Sequence, residues 1–134
     1  MLNNQIVSFS SVIDYKGKEI PFSKEKSQLY LFVSLYCNHC VDFLPEITDL
    51  RNKIPHIEFV LFCNGDEEEH DGLIEYFKWD FPVVHIDSED ATLMYDINTF
   101  PHFIYIKEHQ RVLGDSLTKW EKYEHIILAG SIEK

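Results

Sequence analysis

Cys37 and Cys40, two residues apart in SLYCNHCVDFLPEI, are the residues of this chain best suited to chemistry. A cysteine thiolate attacks a disulfide sulfur, and a second thiol within reach then attacks the mixed disulfide, releasing the partner and closing an internal bridge. The same pair admits two other readings: half of a metal site, or two buried structural thiols. Structural zinc takes four ligands, usually from a second CxxC or an HxxxH, and the sequence holds neither. Two thiols where a strand meets a helix are also a poor choice for filling a core. Redox exchange therefore leads, with no metal and no cofactor expected.

The elements that must position the pair can be read on either side of it. QLYLFVSLY, residues 28–36, is nearly continuous apolar and aromatic sequence, as a strand buried on both faces should be. From Cys40 onward Phe43, Leu44, Ile47, Leu50 and Ile54 recur at spacings of three and four, one face of a helix whose first turn holds both cysteines. Pro45 should bend it, because proline lacks the N–H and crowds the carbonyl four residues back. Residues 57–63, IEFVLFC, form a second buried strand. Strand, helix and strand then make a βαβ unit with a parallel pair, the setting a redox CxxC requires.

At a helix N-terminus the unpaired N–H groups and the positive end of the dipole favour a thiolate. Cys37 is accordingly the nucleophile and Cys40 the resolving thiol. The intervening Asn38-His39 dipeptide tunes their acidity. An imidazolium at His39 stabilises the thiolate and so weakens it as a reductant, moving the expectation toward the oxidising half of a range from about −270 to about −120 mV. The plainer reading of His39 is a solvent-facing residue without influence. Cys63 ends its strand with no partner in sequence and reads as a small buried hydrophobe.

The rest of the chain fits the same architecture. VIDYKGKEIPF reads as a hairpin with Gly17 at a positive-φ turn position and Pro21 on an edge strand. The acidic run DEEEH opens a helix with Leu73, Ile74 and Phe77 inward, and a solvated face accounts for those acids better than a binding site. FPVVHID is a short strand, DSEDATLMYDI a short helix capped by Asp or Ser, and HFIYI with RVLGD a pair of strands. In SLTKWEKYEHIILAG, Thr118 and Glu121 suggest a capping box, with Trp120, Tyr123, Ile127 and Leu128 forming a stripe before Gly130. One α/β domain over residues 1–134 is expected.

Composition narrows the partners. The chain has 134 residues, 45% of them hydrophobic, three cysteines and a formal net charge of −11. Such acidity opposes binding to nucleic acid or to an anionic membrane surface. The start of the chain lacks a basic region followed by an apolar one, and no apolar stretch is long enough to span a bilayer. A cytoplasmic protein is expected from the chain as written, or an extracytoplasmic one if an N-terminal anchor precedes it.

LYLFVSLYCNHCVDFLPEI with Pro45 five places after the second cysteine, the helix and strand ending FPVVHID, and YDINTFPHFIYI together resemble the thioredoxin-fold thiol-disulfide oxidoreductases, more narrowly the TlpA/ResA-like group. The resemblance covers nearly all of the chain. It implies a thioredoxin fold with an N-terminal β-hairpin and a central αβ insertion, and a cis-proline at Pro101 facing the redox pair; from the residues alone that bond would be presumed trans. It also implies a substrate surface made by Tyr36, Phe100 and Pro101, with Phe100 backbone and ring available to an extended peptide. The chain departs from the group in carrying Tyr36 where tryptophan is usual, and Asn38-His39, closer to the Pro-His of periplasmic disulfide oxidases than to Gly-Pro or Glu-Pro. Leu31 stands where thioredoxins bury an aspartate, and Phe43 where ResA-like proteins carry a glutamate. Glu46 is the nearest carboxylate in sequence, with a helix-surface acid as its plainer role.

The function expected is disulfide exchange with a protein or peptide, for instance a secreted cysteine-containing peptide during its maturation, with a separate redox partner to recycle the pair. The rival is a redox-silent thioredoxin-like adaptor that binds a partner through the Phe100-Pro101 loop. A peroxidase is less favoured, because Ser34 stands where a peroxidatic site carries threonine.

Overall fold

In the computed structural model, residues 9–132 are described, without the side chains of His39 and of residues 128–132. A two-stranded hairpin, β1 (Ser11–Ile13) and β2 (Glu19–Pro21), precedes β3 (Gln28–Val33), α1 (Asn38–Phe43), α2 (Ile47–Lys53) and β4 (Glu58–Cys63). Then follow α3 (Glu67–Phe77), β5 (Val83–His85), α4 (Ser88–Tyr95), β6 (His102–Lys107), β7 (Gln110–Ser116) and α5 (Trp120–Ile132). The main sheet has the order β5-β4-β3-β6-β7. β3, β4 and β5 run parallel, and β6 and β7 are antiparallel to their neighbours. This is the expected α/β thioredoxin-like fold, with α1 and α2 counting as one interrupted helix.

β3 is buried at all six positions because both faces of the sheet are covered. Leu29, Leu31 and Val33 pack with Ile47, Leu50, Phe59, Leu61, Phe103 and Ile127 on one side, toward α1, α2, α3 and α5. Tyr30 and Phe32 pack with Phe62, Tyr95, Ile97 and Ile104 on the other, where the hairpin and α4 lie. The side-chain period of two sorts one continuous apolar run between two cores. On the second side Phe32 and Phe62 stack with centroids 4.5 Å apart.

Several local expectations are corrected. The central strand stops at Val33, short of Tyr36, because Ser34 closes a turn: its Oγ accepts from Tyr36 N at 3.3 Å and its carbonyl from Cys37 N at 3.1 Å. Pro45 breaks the helix outright, with a 3-10 turn over Leu44–Glu46 between α1 and α2. No Thr118 capping box forms; Ser116 Oγ accepts from Thr118 N at 3.3 Å, capping a 3-10 turn that leads into α5. α5 runs through Gly130 to Ile132. The hairpin turn follows expectation, with Gly17 at φ 90° and Asp14 Oδ1 accepting from Lys16 N and Lys18 N.

Candidate functional site

The two cysteines meet different surroundings because they occupy different positions on α1. Cys37 is the N-cap, extended at φ −112° and ψ 123°, and its carbonyl accepts the first helical bond, from Val41 N at 3.0 Å. It is half-buried, with Sγ 4.0 Å from the carbonyl oxygen of Phe100. Cys40, one turn along, points inward and is fully buried among Val33, Leu44 and Ile47. Both are in the thiol form. The Cys40 thiol is pushed up from 9.0 to about 12, first by burial and then by a hydrogen bond and charge interaction with Cys37, against a hydrogen bond from the Ser34 backbone that lowers it. Among the described groups acting on Cys40, only Ser34 favours its thiolate.

Ser34 is held in turn by a residue that sequence reasoning missed. Asn64, the first residue after β4, accepts from Leu35 N at 2.7 Å through Oδ1 and donates from Nδ2 to Ser34 Oγ at 3.1 Å. Both Asn64 and Ser34 are buried. The parallel pairing creates this contact, since Val33 lies opposite Cys63 and the next residue of each strand enters the same turn region. Gly65, at φ 110°, lets the loop approach this closely; a Cβ there would stand 2.9 Å from both Leu35 Cδ1 and Glu69 Oε1. The only sequence signal was an Asn-Gly pair ending an apolar strand.

The other predicted site residues are distributed as follows. Tyr36 is 80% exposed beside Cys37. The Phe100–Pro101 bond is cis, Phe100 is half-buried against both cores, and the Pro101 carbonyl accepts from Leu117 N at 3.0 Å. Asn38 is exposed in the first turn of α1, and the His39 side chain lies outside the described residues. Glu46 is exposed on a groove between α2 and α5, and Leu31 is fully buried as an apolar residue.

Cys63 is buried as expected, but it has a partner: its Sγ lies 3.4 Å from Nδ1 of His70. Burial raises this thiol to about 12 and lowers the His70 imidazole from its ordinary value. His70 is the buried residue of α3, packed edge-on against Tyr15 and His85. It shares the inward face that the sequence periodicity assigned to Leu73, Ile74 and Phe77, which are half-buried and pack against the core as expected. Among the described residues no group of three His, Cys, Asp or Glu is placed to hold a metal ion, and no helix is long and apolar enough to cross a membrane.

The sequence matches no protein-family model and no curated protein. Among solved structures, the chain is similar to a secreted disulfide oxidoreductase of Mycobacterium tuberculosis that is homologous to Escherichia coli DsbE, at 11% identity and TM-score 0.65, covering 86% of this chain and 87% of that one. It is similar to the thioredoxin domain of a thiol-disulfide oxidoreductase of Bacteroides vulgatus at 21% identity and TM-score 0.64, covering 87% of this chain and 91% of that one. StoA of Bacillus subtilis superposes with TM-score 0.63 at 15% identity, covering 85% of this chain and 94% of that one. At these identities the likeness establishes a thioredoxin-like fold.

Proposed function

We propose that this protein exchanges disulfides with a cysteine-containing protein or peptide through Cys37 and Cys40. The observation that carries the reading is the asymmetry of the pair: one thiol half-exposed at a helix N-cap, the other fully buried one turn along. Burial bars Cys40 from meeting a protein substrate, so the encounter falls to Cys37, whose thiolate the helix terminus favours. Cys37 attacks a substrate disulfide and expels one substrate thiolate, leaving a mixed disulfide. Cys40, losing its proton, then attacks Cys37 Sγ and expels the second substrate thiolate. Two electrons pass to the substrate, whose thiolates take up two protons, and the protein is left with an internal Cys37–Cys40 disulfide. In reverse the same steps insert a disulfide.

The Phe100 carbonyl beside Cys37 Sγ supports a role for this loop in docking an extended substrate segment next to the reacting sulfur. We place the pair on the oxidising side of thioredoxin because of His39, with a redox partner to recycle it, and substrates that include secreted cysteine-containing peptides.

Trapping tests the reading. Cys40→Ser accumulates a mixed disulfide with a model peptide disulfide, Cys37→Ser forms none, and the native pair closes an internal bridge in graded glutathione buffers. A midpoint near −120 to −180 mV supports disulfide donation, and one near −270 mV supports reduction. Failure of the native pair to close any bridge refutes the reading and favours the adaptor.

A further inference from the structure

The segment that presents the Phe100 carbonyl to Cys37 is held at its exit by less than an ordinary strand pairing. Pro101 stands opposite Leu117, one step beyond the pair His102 and Ser116 of β6 and β7. Residues facing each other at a bonded position of an antiparallel ladder exchange two backbone bonds. Proline has no N–H to give, so one bond remains, from Leu117 N to the Pro101 carbonyl at 3.0 Å. The Leu117 carbonyl turns away into the 3-10 turn and accepts from Trp120 N.

What fixes this end of β7 is a side chain. Bonded and non-bonded pairs alternate along the ladder, so Ser116 turns its N–H away from β6, and β7 is the outermost strand. Asp115 takes it: Oδ1 accepts from Ser116 N at 2.6 Å, while Oδ2 accepts from the Tyr123 hydroxyl at 2.7 Å. One carboxylate therefore ties the end of β7 to α5. The Tyr123 ring packs on Phe103 of β6 as well, with centroids 5.6 Å apart and planes at 64°. Both partners are half-buried. Their mutual bond is the first cause that lowers the Asp115 carboxyl and raises the Tyr123 phenol from their ordinary values.

We infer that Tyr123 is a positioning residue for the substrate-docking loop. By holding Asp115 it fixes the strand end that delivers the Leu117 N–H to Pro101, and so sets the Phe100 carbonyl beside Cys37 Sγ, 4.0 Å away. The inference deepens the disulfide-exchange reading and rests on it for what the loop docks.

Tyr123→Phe removes the hydroxyl and keeps the ring on Phe103. The control is Tyr105→Phe, which removes a hydroxyl bonded to Ser27 Oγ at 3.1 Å from the same strand β6, toward the end remote from Pro101. Native chain and variants, reduced, are compared in single-turnover reduction of an extended peptide disulfide and of a small uncharged disulfide with no segment to dock. In Tyr123→Phe the half-saturating peptide concentration should rise roughly threefold to fivefold, the yield of one partly exposed hydrogen bond. The rate at saturation and the rate with the small disulfide should stay native, and the Leu117 amide should exchange its hydrogen faster. Tyr105→Phe should leave all of these unchanged. The inference is overturned if Tyr123→Phe keeps the native half-saturating concentration, slows the small disulfide by the same factor, or is matched by Tyr105→Phe. A native chain that reduces neither disulfide refutes the exchange reading instead. The Leu117 amide, which needs no thiol chemistry, then decides the positioning: faster exchange in Tyr123→Phe upholds it and native exchange overturns it.

Discussion

Asn64→Ala is the substitution that best separates positioning from chemistry. The amide joins the turn before Cys37 to the end of β4 by two hydrogen bonds, to Leu35 N at 2.7 Å and Ser34 Oγ at 3.1 Å. Truncation removes both, stranding the Leu35 N–H and leaving Ser34 Oγ with only the bond from Tyr36 N, where Asn64 and Ser34 are only 8% and 9% exposed. At about 1 kcal/mol per net bond and 1–3 kcal/mol per unmet buried group, the loss should be about 2–4 kcal/mol, read as a lower urea midpoint. The functional effect runs through Ser34, whose backbone favours the Cys40 thiolate. Loosening that bond by about 1 kcal/mol should slow escape from the mixed disulfide by roughly threefold to tenfold. A single-turnover reaction with a peptide disulfide, quenched by acid and resolved by mass, reads that step directly. Ile97→Val, in the core on the opposite side of the sheet, should cost about 0.5–1.5 kcal/mol while leaving escape unchanged. The reasoning is refuted if Asn64→Ala keeps its urea midpoint, or if it loses stability and still resolves at the native rate as Ile97→Val does.

Alkali should destabilise the reduced protein between pH 9 and pH 12, because Cys40 and Cys63 keep their protons to about 12 in the folded state and lose them near 9.0 when unfolded. The unfolded state then binds fewer protons, so stability falls with rising pH, by at most about 1.4 kcal/mol per pH unit for each thiol; Cys63→Ala should flatten the urea-midpoint profile by one thiol's share. In acid the sign reverses in pH but not in outcome. His70 and His102 are lowered by burial, first of all, so the unfolded chain binds more protons below about 6.5 and stability falls as pH drops through the folded values. His70→Gln should reduce that loss between pH 7 and pH 5, and an unchanged slope would argue against a neutral buried His70. Leu31→Asp, which inserts a carboxyl at a fully buried position facing Leu61 and Phe103 in the ladder, should cost about 3 kcal/mol or more in thermal or urea unfolding. If it costs nothing, the Leu31 pocket is polar enough for an acid and this account of the departure fails.

What was legible in the sequence was local. The CxxC at the junction of a buried strand and a three-four periodic helix, a distortion of that helix at Pro45, the Gly17 hairpin and the burial of β3 on both faces all follow from steric and hydrophobic periods that a few neighbouring residues contain. Misreadings arose where a hydroxyl or carboxylate had two choices of partner. Ser34 ended the strand early, and Ser116 took the capping role in place of Thr118. Asp87 heads α4 with its carboxylate turned to His85 at 3.4 Å.

The tertiary structure decided what surrounds the thiols. Phe100 reaches Cys37 across 63 residues, Asn64 reaches Ser34 across 30, and His70 meets Cys63 from the inward face of α3 that it shares with Leu73, Ile74 and Phe77. Sequence spacing does not constrain such meetings. They are set by the register of β3 against β4 and β6, which brings the ends of separate strands to one level and leaves the first residues after them to meet. The sequence by itself determined that two thiols one turn apart head a helix; the tertiary structure decided that one is buried and the other half-exposed, and the sheet register decided which polar groups hold the turn before them.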